Sequence, residues 1–135
     1  MSMSVKISLV VIALISITTS LISLSSAIPG TATYYSSYTP SACNGSIPGG
    51  TFVAAAGDKL WKGGKNCTKI FEVACTGSLY PFPHPCKIGT SVYVIIVDRC
   101  PNCVVTFELS KEAFASIADP VFEGVITIEY QPIRS

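Results

Sequence analysis

Two kinds of hydrophobic pattern divide the chain. From Ile7 to Ile17 the residues are almost uninterruptedly apolar, with Lys6 before them and a Ser/Thr-rich slope after them that ends in Ser25-Ser26-Ala27. A basic start, an apolar run of about ten residues and small side chains at the last and third-last positions describe a secretory leader, cleaved after Ala27. A membrane anchor is the competing reading. Ser8, Ser16, Thr18, Thr19, Ser20 and Ser23 dilute the run, and no positive flank follows to stop transfer. The reading adopted is a leader over residues 1–27 and one exported domain over residues 28–135.

Beyond Ala27 the apolar residues come in short runs broken by turn chemistry. Thr31 to Tyr35, Thr51 to Ala56, Lys69 to Ala74, Ser91 to Val97, Val104 to Phe107 and Val125 to Tyr130 are rich in β-branched and aromatic side chains and predict six strands. Between them stand Ile47-Pro48-Gly49-Gly50, Lys62-Gly63-Gly64-Lys65 and Tyr80-Pro81-Phe82-Pro83-His84-Pro85, which interrupt any regular element. In Val92 to Val97 both alternating faces are apolar, which predicts a central strand buried on both sides. Helical spacing shows in one place. Ser110 suits an N-cap, Glu112 suits the first turn, and Ala113, Phe114, Ile117 and Ala118 form a stripe that Asp119-Pro120 ends. The predicted fold is mainly β, a small barrel with one short helix over about 111–118.

Charge narrows the choice of partners. Nine Lys and Arg stand against eight Asp and Glu, and Lys6 leaves with the leader, so the exported domain is formally neutral. With a single His and no basic excess there is nothing to drive counterion release from a phosphate backbone, and nucleic acid is excluded as a partner. The six cysteines, Cys43, Cys67, Cys75, Cys86, Cys100 and Cys103, all follow Ala27. An even count in a small secreted domain reads as three disulfides, and the residues alone leave fifteen pairings open. The Cys100-Pro101-Asn102-Cys103 segment follows a strand and does not open a helix, which argues against thioredoxin-like redox chemistry. A zinc site using His84 and Cys86 is set aside because oxidised cysteines supply no thiolate. No metal and no cofactor is expected.

Several motifs stand in a recognisable order: Gly30-Thr-Ala-Thr-Tyr-Tyr-Ser-Ser-Tyr-Thr-Pro40, Trp61-Lys-Gly-Gly-Lys-Asn-Cys67, Phe71-Glu-Val-Ala-Cys75, Val97-Asp-Arg-Cys-Pro101 and the run from Phe107 to Ala118. In that order the chain resembles the plant endoglucanase-family-45-like domain proteins of the natriuretic-peptide branch, which are related to barwin and to the first domain of expansins. The resemblance implies a six-stranded double-psi β-barrel, an extracellular location in the apoplast, and a role in water and solute homeostasis without catalysis. It also implies pairing of Cys43 with Cys67, Cys75 with Cys86 and Cys100 with Cys103. The last segment is one residue shorter than the family's Cys-Pro-Ser-Gly-Cys form.

Hydrolysis of a glycosidic bond needs two carboxyl groups, one to protonate the leaving oxygen and one to activate water or attack carbon. In the related endoglucanases one carboxylate follows the aromatic pair of the first strand and the acid ends a His-Phe-Asp motif. Here Ser36 follows Tyr34-Tyr35, and the second motif reads Thr106-Phe107-Glu108. No catalytic residue is therefore assigned. What remains is a groove that holds a ligand, with Asp98, Glu108, Tyr34, Tyr35, Tyr38 and Trp61 as lining candidates, since sugars stack on aromatics and bond to carboxylates. Each has a plainer alternative: Trp61 as a packing residue, Asp98 as a strand-end side chain holding backbone N–H groups, Glu108 as a solvated residue before the helix. Of the two sequons, Asn44-Gly45-Ser46 is favoured for glycosylation over Asn66-Cys67-Thr68, where disulfide formation competes. The leading expectation is a monomeric, secreted homeostasis protein facing an extracellular receptor through Thr33 to Cys67. A wall-polysaccharide binder, a weak endoglucanase and a barwin-like defence protein are the alternatives.

Overall fold

The structure is a computed structural model and describes residues 27–80 and 83–133. The predicted leader thus lies outside the described residues except for Ala27, as do Pro81 and Phe82. The elements are β1 (Ile28–Tyr35), β2 (Val53–Ala56), α1 (Asp58–Trp61) continued by a 3₁₀ turn (Lys62–Gly64), β3 (Ile70–Ser78), β4 (Val92–Arg99), β5 (Phe107–Ser110), α2 (Lys111–Ile117) and β6 (Ile126–Pro132).

The six strands close into one barrel in the order β1-β5-β2-β4-β3-β6, with β6 returning to β1. Two pairs are parallel, β1 with β5 and β2 with β4, and the remaining pairs are antiparallel. Closure leaves no unpaired strand edge. Alternation sends Phe71 and Val73 of β3, Val94 and Ile96 of β4, Phe107 and Leu109 of β5, and Ile126 and Ile128 of β6 into the core. Phe107 meets Phe71 and Tyr130 edge-on at 5.6 and 5.1 Å. Each large side chain buried this way stabilises the fold by about 1.5–3 kcal/mol. The helix α2 closes one flank, burying Ala113, Phe114 and Ile117. Ser110 caps it as expected, its hydroxyl accepting from the Ala113 N–H at 3.2 Å.

The six-strand barrel agrees with the pattern, while three details differ. A second short helix, α1, is present where only one was predicted; its single turn is too brief to show a hydrophobic period and sits between Gly57 and Gly63. Gly57 is required there, because a Cβ would run into the Val105 carbonyl oxygen. Strand β5 begins at Phe107 and not at Val104: Val104 is fully exposed, and the chain reaches its pairing partners only after leaving the turn at Cys100 to Cys103. Strand β4 is not covered on both sides along its whole length, since Tyr93 is 57% exposed. Its outer cover begins at Val97, whose carbonyl accepts from the Cys43 N–H at 2.9 Å and whose side chain lies under Gly49.

Disulfides join Cys43 to Cys67 and Cys75 to Cys86, with Cα separations of 5.6 and 5.4 Å. These are the pairings that the family resemblance implies. Cys100 and Cys103 sit side by side, their Cα atoms 5.5 Å apart.

Candidate functional site

Along β4, Val92, Val94 and Ile96 face the core. Strict alternation would send Asp98 inward as well. A register shift prevents this: Ala54 pairs with Ile96 but the next residue, Ala55, pairs with Asp98, so Val97 is the extra residue of a β-bulge. Asp98 therefore emerges on the outer face. On the other flank of β2, Ala55 pairs with Glu108 of β5, and Glu108 pairs with Thr33 of β1. Phe107 and Leu109 point into the core, so Glu108 points out. Asp98, Ala55, Glu108 and Thr33 thus form one row across four strands. With neighbouring strands about 4.8 Å apart, the backbones of the two acids stand about 10 Å apart with a methyl group between them.

Tyr35 continues this face two residues beyond Thr33, and its ring meets that of Tyr38 near-perpendicularly at 5.0 Å. The Tyr35 hydroxyl itself is buried, and among the described residues it has no hydrogen-bond partner. Burial, then the charges of Asp98, Tyr38 and Glu108, push its deprotonation well above the ordinary tyrosine range, so the phenol stays neutral. Burial first and Asp98 second raise the Glu108 carboxyl above the usual carboxylate range. Asp98 performs its strand-end role as well: its Oδ1 accepts from the Ala42 and Arg99 N–H groups, each at 2.9 Å. That bond ties the loop before Cys43 to the row of acids. The Tyr38 hydroxyl donates to Glu112 Oε2 at 2.7 Å and accepts from the Lys111 N–H at 2.9 Å, fastening the chain after β1 to the start of α2. The same bond holds the Glu112 carboxyl below its usual range.

Two of the aromatic candidates are placed elsewhere. Tyr34 faces the opposite way from Tyr35 and packs on Phe114 with ring centroids 5.0 Å apart, so it serves the core. Trp61, at the end of α1, likewise packs against the core cluster. Ser36 is exposed just past β1. Asn66 is buried and donates to the Leu60 carbonyl at 2.6 Å, which closes the second sequon to a glycan; Asn44 is half-buried in a turn where its N–H donates to Ser41 Oγ. Sequence reasoning missed Ala55 and Val97. Neither carries chemistry, and each matters only through its place in the register. Glu108 also borders the cysteine pair, the two Sγ atoms and a Glu108 oxygen lying within 4.8 Å of one another. Such a donor set suits a soft cation only while the thiols are reduced.

The Glu108 carboxyl, the edge of the Tyr35 ring and a carboxylate anchored by backbone N–H groups form a face that suits a hydroxyl-rich ligand. Comparison with known proteins supplies the context. A double-psi β-barrel family model described as "Lytic transglycolase" matches residues 53–130. The putative EG45-like domain containing protein 1 of Arabidopsis thaliana is 51% identical over 113 residues, covering 83% of this chain and 89% of that protein. An EG45-like domain containing protein of Citrus jambhiri is 50% identical over 104 residues, covering 75% and 78%. Among solved structures, a mutant expansin of Clavibacter michiganensis in complex with cellohexaose superposes with a TM-score of 0.58 at 26% identity. That match covers 80% of this chain, which spans about half the length of the expansin. The chain belongs to the EG45-like domain-containing proteins, a family built on the expansin-like double-psi β-barrel.

Proposed function

We propose that the chain is an exported plant-wall protein that holds a polysaccharide along the row from Asp98 to Glu108 and does not cut it. The observation that carries this reading is the placement of the two acids on either side of Ala55 on one outer face, with Tyr35 beside them. The expansin neighbour in complex with cellohexaose supports it. Glu108 can donate a proton to a sugar oxygen, but Ser36 stands where a base would follow the aromatic pair, and a hydroxyl does not take up a proton at neutral pH. Asp98, with Oδ1 held by two backbone N–H groups, is oriented as an anchor of the groove. Residues 1–27 direct export to the apoplast, Cys100 and Cys103 form the third disulfide there, and the mature domain acts as a monomer.

Sedimentation with insoluble cellulose tests the reading. The purified protein is expected to pellet with it without releasing reducing ends, and Asp98→Asn and Tyr35→Ala each weaken binding about tenfold, in keeping with loss of one charge-assisted or stacking contact. Protein that stays in the supernatant, or reducing ends that vanish in Glu108→Gln, would sink it.

A second reading, regulation of water and solute balance through a receptor, is favoured by one feature. The stretch from Thr33 to Cys67 ends in the Cys43–Cys67 disulfide and carries Ile47 and Phe52 exposed at 70% and 48%. Saturable binding to plasma membranes, lost in Ile47→Ser with Phe52→Ser, is expected; non-saturable binding discards the idea.

A further inference from the structure

A recess of about 820 Å³ opens between the start of β1, the end of β6, α1 and the segment before β5. Asp98, Glu108 and Tyr35 do not line it, and it adjoins the row of acids only through Cys103. The larger part of its wall is apolar. Phe71, Leu60 and Val105 are buried, and the half-buried Tyr130 ring stands edge-on to Phe71 at 6.0 Å. Val104, fully exposed, also lines it.

The charged lining is one-sided. Lys59, Lys62 and Lys69 border the recess, and among the described residues none of them forms a salt bridge. Asp58, the one acid of the lining, is already engaged: its carboxylate meets Arg99 at 3.3 Å and accepts from the Asn102 N–H at 3.2 Å. Two other polar side chains of the lining are engaged as well. Asn66 donates to the Leu60 carbonyl, and Thr106 Oγ1 accepts from the Thr31 N–H at 3.1 Å. A sugar entering here would find aromatic and aliphatic surface but few acceptors for its hydroxyls, each of which is costly to bury unpaired. An apolar body bearing a negative charge meets both halves of the lining. The volume falls in the range of small-molecule sites.

We propose that this recess binds an amphiphilic organic anion, an aliphatic or aromatic carboxylate whose apolar body lies on Phe71, Tyr130, Leu60 and Val105 and whose charge is met by Lys59, Lys62 and Lys69. Lysines act as point charges on flexible stems, so the site selects for charge and apolar length and not for a planar, two-pronged head group. The ion pairing is exposed to solvent, so binding weakens as salt is raised. The inference is independent of the polysaccharide reading.

Fluorescence titration with anilinonaphthalene sulfonate, an amphiphilic anion, tests it, with dodecanoate and dodecanol as competitors. Saturable one-to-one binding is expected, with dodecanoate displacing the probe at least tenfold more effectively than the neutral alcohol. The variant combining Lys59→Gln, Lys62→Gln and Lys69→Gln should bind at least tenfold more weakly. Val104→Glu, a change at a fully exposed position that leaves the fold intact, should weaken binding several-fold on its own. Both variants should still sediment with cellulose as the parent does, which separates this site from the groove. No saturable binding, equal displacement by alcohol and acid, or unchanged affinity in Val104→Glu overturns the proposal.

Discussion

Glu108 shows how one residue's setting governs its chemistry. Burial and the nearby Asp98 both disfavour its ionised form, so the folded state holds its proton to higher pH than the unfolded chain does. A carboxyl raised in this way stabilises the fold fully below the ordinary Glu range, and that contribution fades as pH rises through the raised value. Glu108→Gln removes the ionisation and keeps the shape. The variant is expected to be more stable than the parent at neutral pH by less than about 1 kcal/mol, because the group is partly solvated. The difference should close as pH falls below the ordinary Glu range. Urea unfolding at neutral and acidic pH measures it, and an advantage that grows towards acid contradicts the assignment. Glu108 was legible as a candidate because it ends a recognisable motif, while its coupling to Asp98 comes from pairing with a third strand.

At the scale of elements, the start of α2 joins helix, strand and loop. Ser110 ends β5 and caps the helix, and its hydroxyl also donates to the Thr51 carbonyl at 2.6 Å in a fully buried position. Ser110→Ala loses the cap and leaves the Thr51 carbonyl without that donor, which is expected to cost about 2 kcal/mol in chemical denaturation. A loss below about 0.5 kcal/mol would mean that water or a neighbour takes over both bonds. The cap was readable because capping is local. The turn of α1 was not, since a helix of four residues carries no period, and the start of β5 was misjudged because Val104 and Val105 have strand composition without strand partners.

Across the whole molecule, the Cys43–Cys67 disulfide ties the loop that reaches Asp98 to the segment after α1. Replacing both cysteines by serine releases a loop spanning 24 residues, with an expected stability loss of about 3 kcal/mol. Thermal unfolding reads that loss. Cellulose sedimentation should fall with it even below the melting transition, since the Ala42 N–H no longer holds Asp98; unchanged binding would show that the loop is not part of the groove. By itself the sequence determined the six short strands, the capped helix and the polar residues available for a site, because alternation, capping and turn chemistry act between near neighbours. Its family motifs carried the two cross-links. Only the tertiary structure decided which of those residues meet. The bulge at Val97 turns Asp98 from the core to the surface, the pairing of Ala55 with both flanking strands sets the acids on one face, and core packing claims Tyr34 and Trp61. Each of these depends on contacts between segments far apart along the chain, where the register of one strand against another sets which way a side chain points.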